Sequence, residues 1–84
     1  MSPTTERNAQ ILHHRLAECV EKDPEKLGGV PVFRGTRVPV KSLFDYLSAG
    51  DSLGTFLDDF PGVTRQQVQM AVEAAGLRLL EEVP

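Results

Sequence analysis

Residues 30–40 read VPVFRGTRVPV and separate a polar first part of the chain from a more regular second part. The stretch is rich in β-branched residues, which favour extended backbone, and Gly35 interrupts it. Pro31 and Pro39 have no N–H to donate to a neighbouring strand, so a strand here is short and lies at an edge. The pattern predicts two short strands joined by a turn or bend at residues 34–37.

Three helices are predicted after this stretch, because apolar residues recur at intervals of three and four. The first covers about residues 40–49 and ends at Gly50. The second begins after a cap at Asp51 or Ser52 and ends at residues 61–62. The apolar faces of the first two helices are, in order, Val40, Leu43, Phe44 and Leu47, and then Leu53, Phe56, Leu57 and Phe60.

The third helix, at about residues 65–82, has the clearest start signal in the chain. Thr64 with Gln67 three residues later predicts a capping box, in which each side chain binds the other residue's backbone amide. Val63 and Val68 are spaced for a hydrophobic staple across this cap. The predicted apolar stripe of the helix consists of Val68, Ala71, Val72, Ala75 and Leu79.

The residues before the central stretch carry weaker signals. Apolar residues at helical spacing predict a short helix over residues 6–17, and residues 18–22 favour a short strand. Cys19 has no base beside it in the sequence, so we expect a small buried hydrophobic residue rather than a nucleophile.

The predicted fold is mainly α, with a trihelical bundle (residues 40–82) that follows a small β element (residues 18–39). Both belong to one domain, residues 18–84, and residues 1–17 form an N-terminal extension. The short link at residues 60–63 is compatible with a helix-turn-helix arrangement. A chain of 84 residues buries a modest fraction of its surface, so dimerisation is expected to add burial.

Charge and composition exclude several classes of protein. The net charge of −3 argues against nucleic-acid binding through overall charge and leaves a local basic patch open. A single cysteine excludes an intrachain disulfide and a cysteine-based zinc site. No apolar run is long enough to span a membrane, and the first ten residues do not have the pattern of a secretory signal, so a cytoplasmic protein is expected.

The sequence also argues against an enzyme. It offers no convincing pair of nucleophile and base, no metal-ligand set and no phosphate-binding loop. His13 and His14 are adjacent, so they point in different directions on a helix or a strand and do not share a metal easily. We therefore expect no cofactor and no metal.

Several segments together resemble the bacterial domain of unknown function 433 family. They are Asp23-Pro24, residues 29–40, Ala49-Gly50-Asp51-Ser52, Asp59-Phe60-Pro61, and Thr64 with the helix after it. The string G-V-P-V-F-R-G-T-R-V-P-V is long and unusual, and the resemblance covers roughly two-thirds of the chain.

The resemblance implies a homeodomain-like trihelical fold preceded by a small β element. It also implies an antitoxin, encoded beside a toxin that resembles a PIN-domain ribonuclease. Such antitoxins dimerise, bind the toxin and repress their own promoter. Gly54-Thr55 departs from the helix-favouring residues expected in the second helix, which puts the local stability of that helix in doubt.

The candidate nucleic-acid contacts lie in the central turn and on the third helix. Arginine binds phosphate or guanine through its planar fork, and glutamine reads adenine edges in the major groove. The alternatives are structural: either arginine of the turn pairs with Asp23, Asp45 or Asp59, and the glutamines form a solvated face. The candidates are Arg34, Thr36, Arg37, Lys41, Arg65, Gln66 and Gln69.

The candidate protein contacts are Asp58, Asp59, Leu77 and Leu80. The two aspartates suit the basic groove of a ribonuclease, although a charged run is often only a soluble face. The apolar residues of the C-terminal end are expected to cover the core, a second subunit or a partner. A dimer interface is predicted at residues 30–38, because edge strands pair with other chains.

Three hypotheses for the function remain open. The first is an antitoxin-type module, a DNA-binding dimer that inhibits a ribonuclease toxin and represses its own promoter. The second is a stand-alone helix-turn-helix transcription regulator. The third is a dimeric protein-interaction module with no DNA role.

Overall fold

A computed structural model describes residues 15–84, which form helices around a small antiparallel sheet. A first helix, α1, covers residues 15–19 of this part, and a single 3-10 turn lies at Leu27–Gly29. The other elements are β1 (Val20–Lys22), β2 (Pro31–Phe33), α2 (Val40–Ser48), α3 (Leu53–Asp59) and α4 (Arg65–Glu82). The predicted mainly helical fold with a small β element is confirmed.

The sheet differs from the prediction in the partner of β2. β2 pairs with β1 in the register Val20↔Phe33, Glu21↔Val32 and Lys22↔Pro31. On its other side a single bridge joins Val32 to Pro39, because α2 begins at the next residue. The second strand expected within residues 30–40 is therefore reduced to one bridging pair.

The predicted helix starts and ends are confirmed for the three later helices. Ser52, and not Asp51, caps α3, since its side chain accepts a hydrogen bond from the Thr55 amide at 3.0 Å. Gly50 follows α2 with φ of +90°, a conformation that glycine adopts without strain. The Ser52 cap explains why α3 forms although it contains Gly54.

The capping box of α4 is present as predicted. The Thr64 hydroxyl accepts from the Gln67 amide at 3.1 Å, and the Gln67 side-chain oxygen accepts from the Thr64 amide at 3.0 Å. Val63 and Val68 are both buried and belong to the same core cluster. The cap and the apolar residues on either side of it therefore fix where α4 begins.

The core lies where β2 meets the helices. Phe33 packs against Phe56 with ring centroids 6.1 Å apart, and α2 contributes Leu43. These three side chains are fully buried. Since β2 carries Phe33 into the core, the turn that follows β2 is held at the surface of the helical bundle.

Two predictions near the ends of the described part need correction. Residues 18 and 19 are helical, so the strand begins at Val20; Cys19 is buried as expected. On α4 only the first part of the predicted stripe is buried, and Val72, Ala75 and Leu79 are exposed. The fully buried part of the helix ends at Ala71, and beyond it only Ala74 and Leu77 are half-buried.

The N-terminal predictions fall mostly outside the described residues. This applies to residues 6–14 of the predicted helix and to the pair His13-His14. In the described residues, no helix has the length and apolar character needed to cross a membrane.

Candidate functional site

The central turn is closed by Thr36 and Gly35. The Thr36 amide and hydroxyl both donate to the Phe33 carbonyl, at 2.9 and 2.7 Å, and the hydroxyl accepts from the Val38 amide at 3.0 Å. Gly35 has φ of +81°, which favours glycine at this position. Thr36, predicted to contact nucleic acid, is half-buried, and its hydroxyl is already engaged in closing the turn.

Arg34 binds the end of α1 rather than one of the predicted aspartates. Its Nε and Nη2 donate to the Ala17 carbonyl at 3.1 and 2.7 Å, and Nη2 lies 3.4 Å from the Val20 carbonyl. A guanidinium at a helix C-terminus satisfies carbonyls that the helix leaves open and suits the helix dipole. The side chain is 51% exposed, so Arg34 has a structural role and about half of its side chain remains accessible to solvent or a ligand.

Glu21 is a site residue that sequence reasoning missed. Its carboxylate accepts from the Gly35 amide at 3.0 Å and from Lys26 Nζ at 3.0 Å, and it lies 3.8 Å from Arg34 Nη1. The hydrogen bond from Lys26 and the bond from the Gly35 amide hold the pKa of Glu21 below its ordinary value. Nothing in the sequence distinguishes Glu21 from other acidic residues, because its partners lie up to fourteen residues away.

Gln67 fastens the turn to the start of α4. While its oxygen completes the capping box, its Nε2 donates to the Arg34 carbonyl at 3.0 Å. A methyl group built on Gly62 would lie 3.7 Å from Cγ2 of Thr36, so the link between α3 and α4 also lies against the turn. The central turn and the N-terminus of α4 therefore form one surface.

This surface, the turn–α4 surface, gathers most of the predicted nucleic-acid residues. Arg37 and Arg65 are exposed, and neither side chain forms an ion pair or hydrogen bond within residues 15–84. Gln66 and Gln69 are exposed on the first turns of α4. The helix N-terminus adds its partial positive charge, so the surface suits an anion.

Lys41 is used differently from the other basic candidates. It lies on the first turn of α2 and pairs with Asp45 one turn later, at 2.8 Å. Both side chains are well exposed, so the pair contributes little to stability. The ion pair makes Lys41 a weaker candidate for a phosphate contact, because Asp45 neutralises the charge of Lys41.

A comparison with protein families matches most of the described chain. A sequence model of the family described as "Protein of unknown function (DUF433)" matches residues 20–74, which run from the start of β1 into α4. The chain belongs to the DUF433 family. The predicted resemblance is therefore confirmed, and it covers the turn–α4 surface.

The descriptions of two similar proteins name no function. An uncharacterized protein y4eO of Sinorhizobium fredii (strain NBRC 101917 / NGR234) is 39% identical over 54 residues, or 64% of this chain. The matched region is only 24% of that relative's length. The crystal structure of a DUF433 member from Anabaena variabilis ATCC 29413 superposes with a TM-score of 0.65 at 22% identity, covering 96% of this chain and 80% of that one. This likeness shows a shared fold.

The acidic candidates of the DUF433 chain lie at the end of α3. Asp58 and Asp59 are exposed, and Asp59 accepts a hydrogen bond from the Tyr46 hydroxyl at 2.7 Å. That bond to a carboxylate raises the pKa of Tyr46. Tyr46 packs edge-on against Phe56, so Asp59 is fixed by the aromatic core, whereas Asp58 is open to a partner.

Two of the apolar surfaces that the described part of the DUF433 chain leaves uncovered involve α4. One is a groove of about 470 Å³ whose lining includes Leu16, Val20, Phe44 and Ala75. Sequence reasoning missed it, because its walls come from five separate elements, α1, β1, β2, α2 and α4. The other surface is the end of α4, where Leu77 is half-buried and Leu80 is exposed.

The described residues contain no group of three or more histidine, cysteine or acidic side chains placed to hold a metal ion. The exposed arginine side chains and the helix N-terminus of the turn–α4 surface make it a candidate binding site for an anion.

Proposed function

We propose that this DUF433 protein is a DNA-binding protein of the antitoxin type. It acts as a dimer that represses its own promoter and inhibits a ribonuclease toxin of the PIN type. The observation that carries the proposal is the hydrogen bond from Gln67 Nε2 to the Arg34 carbonyl. This bond holds a basic turn against the start of a long helix, so both present their arginines on one surface.

DNA binding uses α4 as the recognition helix of a helix-turn-helix formed with α3. Arg65 and Gln66 at its first turn face base edges, and Arg37 of the central turn binds a neighbouring phosphate. Gly35 supports this arrangement because it allows backbone to approach the DNA closely. The net charge of −3 makes non-specific binding weak, so specific contacts from two copies are needed.

Toxin inhibition uses the acidic and apolar surfaces instead. Asp58 is exposed and complements the basic groove by which a ribonuclease holds RNA. The exposed end of α4, including Leu80, supplies apolar contact area on the same chain. DNA and toxin then bind different parts of the molecule.

The DNA-binding proposal is tested with a labelled duplex from the region upstream of the gene. In fluorescence anisotropy at low salt we expect specific binding, which Arg37→Ala and Arg65→Ala each weaken several-fold. Each variant should also reduce the slope of log K against log salt by about 1, because one phosphate contact is lost.

Arg78→Ala is the matched control, since Arg78 is an exposed arginine on the last turns of α4. It should bind like the wild type. An equal loss in all three variants would mean that only overall charge matters, and absence of specific binding at low salt would contradict the DNA role.

The two alternative functions are separated by what copurifies with the protein. A stoichiometric ribonuclease-like protein, lost in Asp58→Lys, supports the antitoxin type. Specific DNA binding without any protein partner favours the stand-alone regulator. If the protein neither binds DNA nor copurifies with a ribonuclease, the dimeric interaction module is the hypothesis that remains.

A further inference from the structure

The apolar groove beside α4 is the largest unexplained feature of the described chain. Leu16 of α1 forms part of its lining, and Ala71 and Ala75 of α4 form another part. Among the described residues that line it, only Glu21 and Lys22 carry a charged side chain, and its volume is about 470 Å³. An open apolar surface of this kind marks a place where another apolar segment packs.

The end of α1 lies near the start of α4. Arg34 connects the two helices, because its side chain donates to the Ala17 carbonyl while its own carbonyl accepts from Gln67. From this end the groove follows α4 towards Ala75. A chain that continues α1 backwards along the groove therefore runs antiparallel to α4.

The sequence before α1 has apolar residues in phase with the groove. Leu12 lies four residues before Leu16, and Ala9 lies three residues before Leu12. In the helix predicted over residues 6–17 these three positions share one side. Ile11 would lie on another side of that helix, about 140° from Leu16.

We propose that residues 6–14 continue α1 and close the groove, with the Leu12 side chain packed against Ala75. The steps along the two helices match, since Leu12 lies about 6 Å beyond Leu16 and Ala75 about 6 Å beyond Ala71. Alanine side chains on α4 suit this contact, because small residues allow two helices to approach closely.

Attachment to α1 favours this segment over a separate chain as the occupant. Residues 6–14 are joined directly to α1, next to Leu16 of the groove lining. A separate chain loses translational and rotational freedom when it binds, and an attached segment does not. The contact leaves Leu80 free for a protein partner, and it does not depend on DNA binding.

The closed groove also supports the turn–α4 surface. Ala17 and Glu21 line the groove, and both bind the central turn. The Ala17 carbonyl accepts from Arg34, and the Glu21 carboxylate accepts from the Gly35 amide. A segment packed beside these residues therefore holds the turn through α1 and β1.

The first test compares two aspartate substitutions in the full chain. Leu12→Asp should lower the midpoint of thermal unfolding by about 5 °C or more, because an apolar contact is lost. It should also raise the fluorescence of the apolar dye ANS about threefold or more. Ile11→Asp is the matched control, since it puts the same residue in the same turn on another side. It should follow the wild type in both measurements.

The second test locates the contact and does not need a destabilised variant. Mild oxidation of Leu12→Cys combined with Ala75→Cys should form a disulfide within one chain, because a disulfide needs Cα atoms within about 7 Å. Ile11→Cys combined with Ala75→Cys should stay unlinked. The native Cys19 is buried and takes no part. Mass spectrometry of a proteolytic digest identifies the bond.

Three results would overturn the proposal. One is equal dye fluorescence and an equal unfolding midpoint in Leu12→Asp and Ile11→Asp. Another is the absence of a disulfide between positions 12 and 75. The third is a disulfide that joins these positions in two different chains, which would assign the groove to a second copy.

Discussion

Glu21 is the residue on which the conformation of the central turn depends most directly. Its carboxylate joins β1 to the Gly35 amide and to Lys26, and it lies close to Arg34. The turn would otherwise present an unpaired amide at this point. One acidic side chain thus holds the basic turn in the position from which Arg37 projects.

Glu21→Gln should lower the free energy of unfolding at neutral pH, because Lys26 loses its charged partner. The folded-state pKa of Glu21 lies below its ordinary value of 4.5, so the carboxylate stabilises the fold above that pH. This contribution is lost as the pH falls through the folded-state pKa. The difference between variant and wild type in urea unfolding should therefore shrink as the pH falls below 4.5.

Glu25→Gln is the control for this pH series. Its side chain makes no hydrogen bond or ion pair in the described part of the chain, and only its backbone amide binds Asp23. It should follow the wild type at every pH. A Glu21→Gln difference that stays constant with pH would contradict the role of the charge.

The element that connects local and long-range structure is the first turn of α4. Thr64 and Gln67 satisfy each other's amides, which any capping box does. Gln67 also reaches the Arg34 carbonyl, which depends on where β2 lies. The start of α4 is therefore both a helix cap and the contact that joins the helix to the β element.

Gln67→Ala should destabilise the protein by about 1–2 kcal/mol, since two backbone groups lose their side-chain partner. Thr64→Ala should cost about 1 kcal/mol, because it removes the cap alone. Both values come from urea unfolding followed by circular dichroism. Gln69 is an exposed glutamine on the same helix, so Gln69→Ala should change stability little. An equal cost for Gln69→Ala and Gln67→Ala would mean that the two hydrogen bonds of the Gln67 side chain do not stabilise the fold.

At the scale of the whole molecule, the core is small and α4 extends past it. Phe33, Leu43, Phe56 and Val68 are fully buried, whereas the end of α4 leaves Leu80 uncovered. Small domains gain stability by burying such surfaces against another chain.

The spacing of the two DNA-binding ends can be tested on the proposed dimer as a whole. A dimer that places the start of each α4 in a major groove binds two half-sites on one side of the duplex, about one helical turn apart. A footprint of the upstream region should show two half-sites with centres about 10 bp apart.

Inserting 5 bp between those half-sites should weaken binding at least tenfold, because the second α4 then faces the wrong side of the duplex. Base changes outside the protected region serve as the control. Equal affinity for the lengthened site would contradict binding by a rigid dimer, even if each copy binds DNA.

The amino-acid sequence by itself determined where the later helices begin and end and which family the chain belongs to. Caps such as Ser52 and Thr64 act within three residues, so their effect can be predicted without knowing the fold. The same holds for Gly50, which stops α2 through its own backbone conformation.

Only the tertiary structure decided how the site is assembled. Arg34 binds Ala17 and Gln67 binds Arg34, across 17 and 33 residues, and neither contact has a signal in local spacing. The periodicity of α4 likewise placed Val72 and Leu79 in the core, although both are exposed and the buried core residues of the helix end at Ala71. Periodicity shows that a helix has an apolar side, whereas burial depends on which neighbours the fold brings against that side.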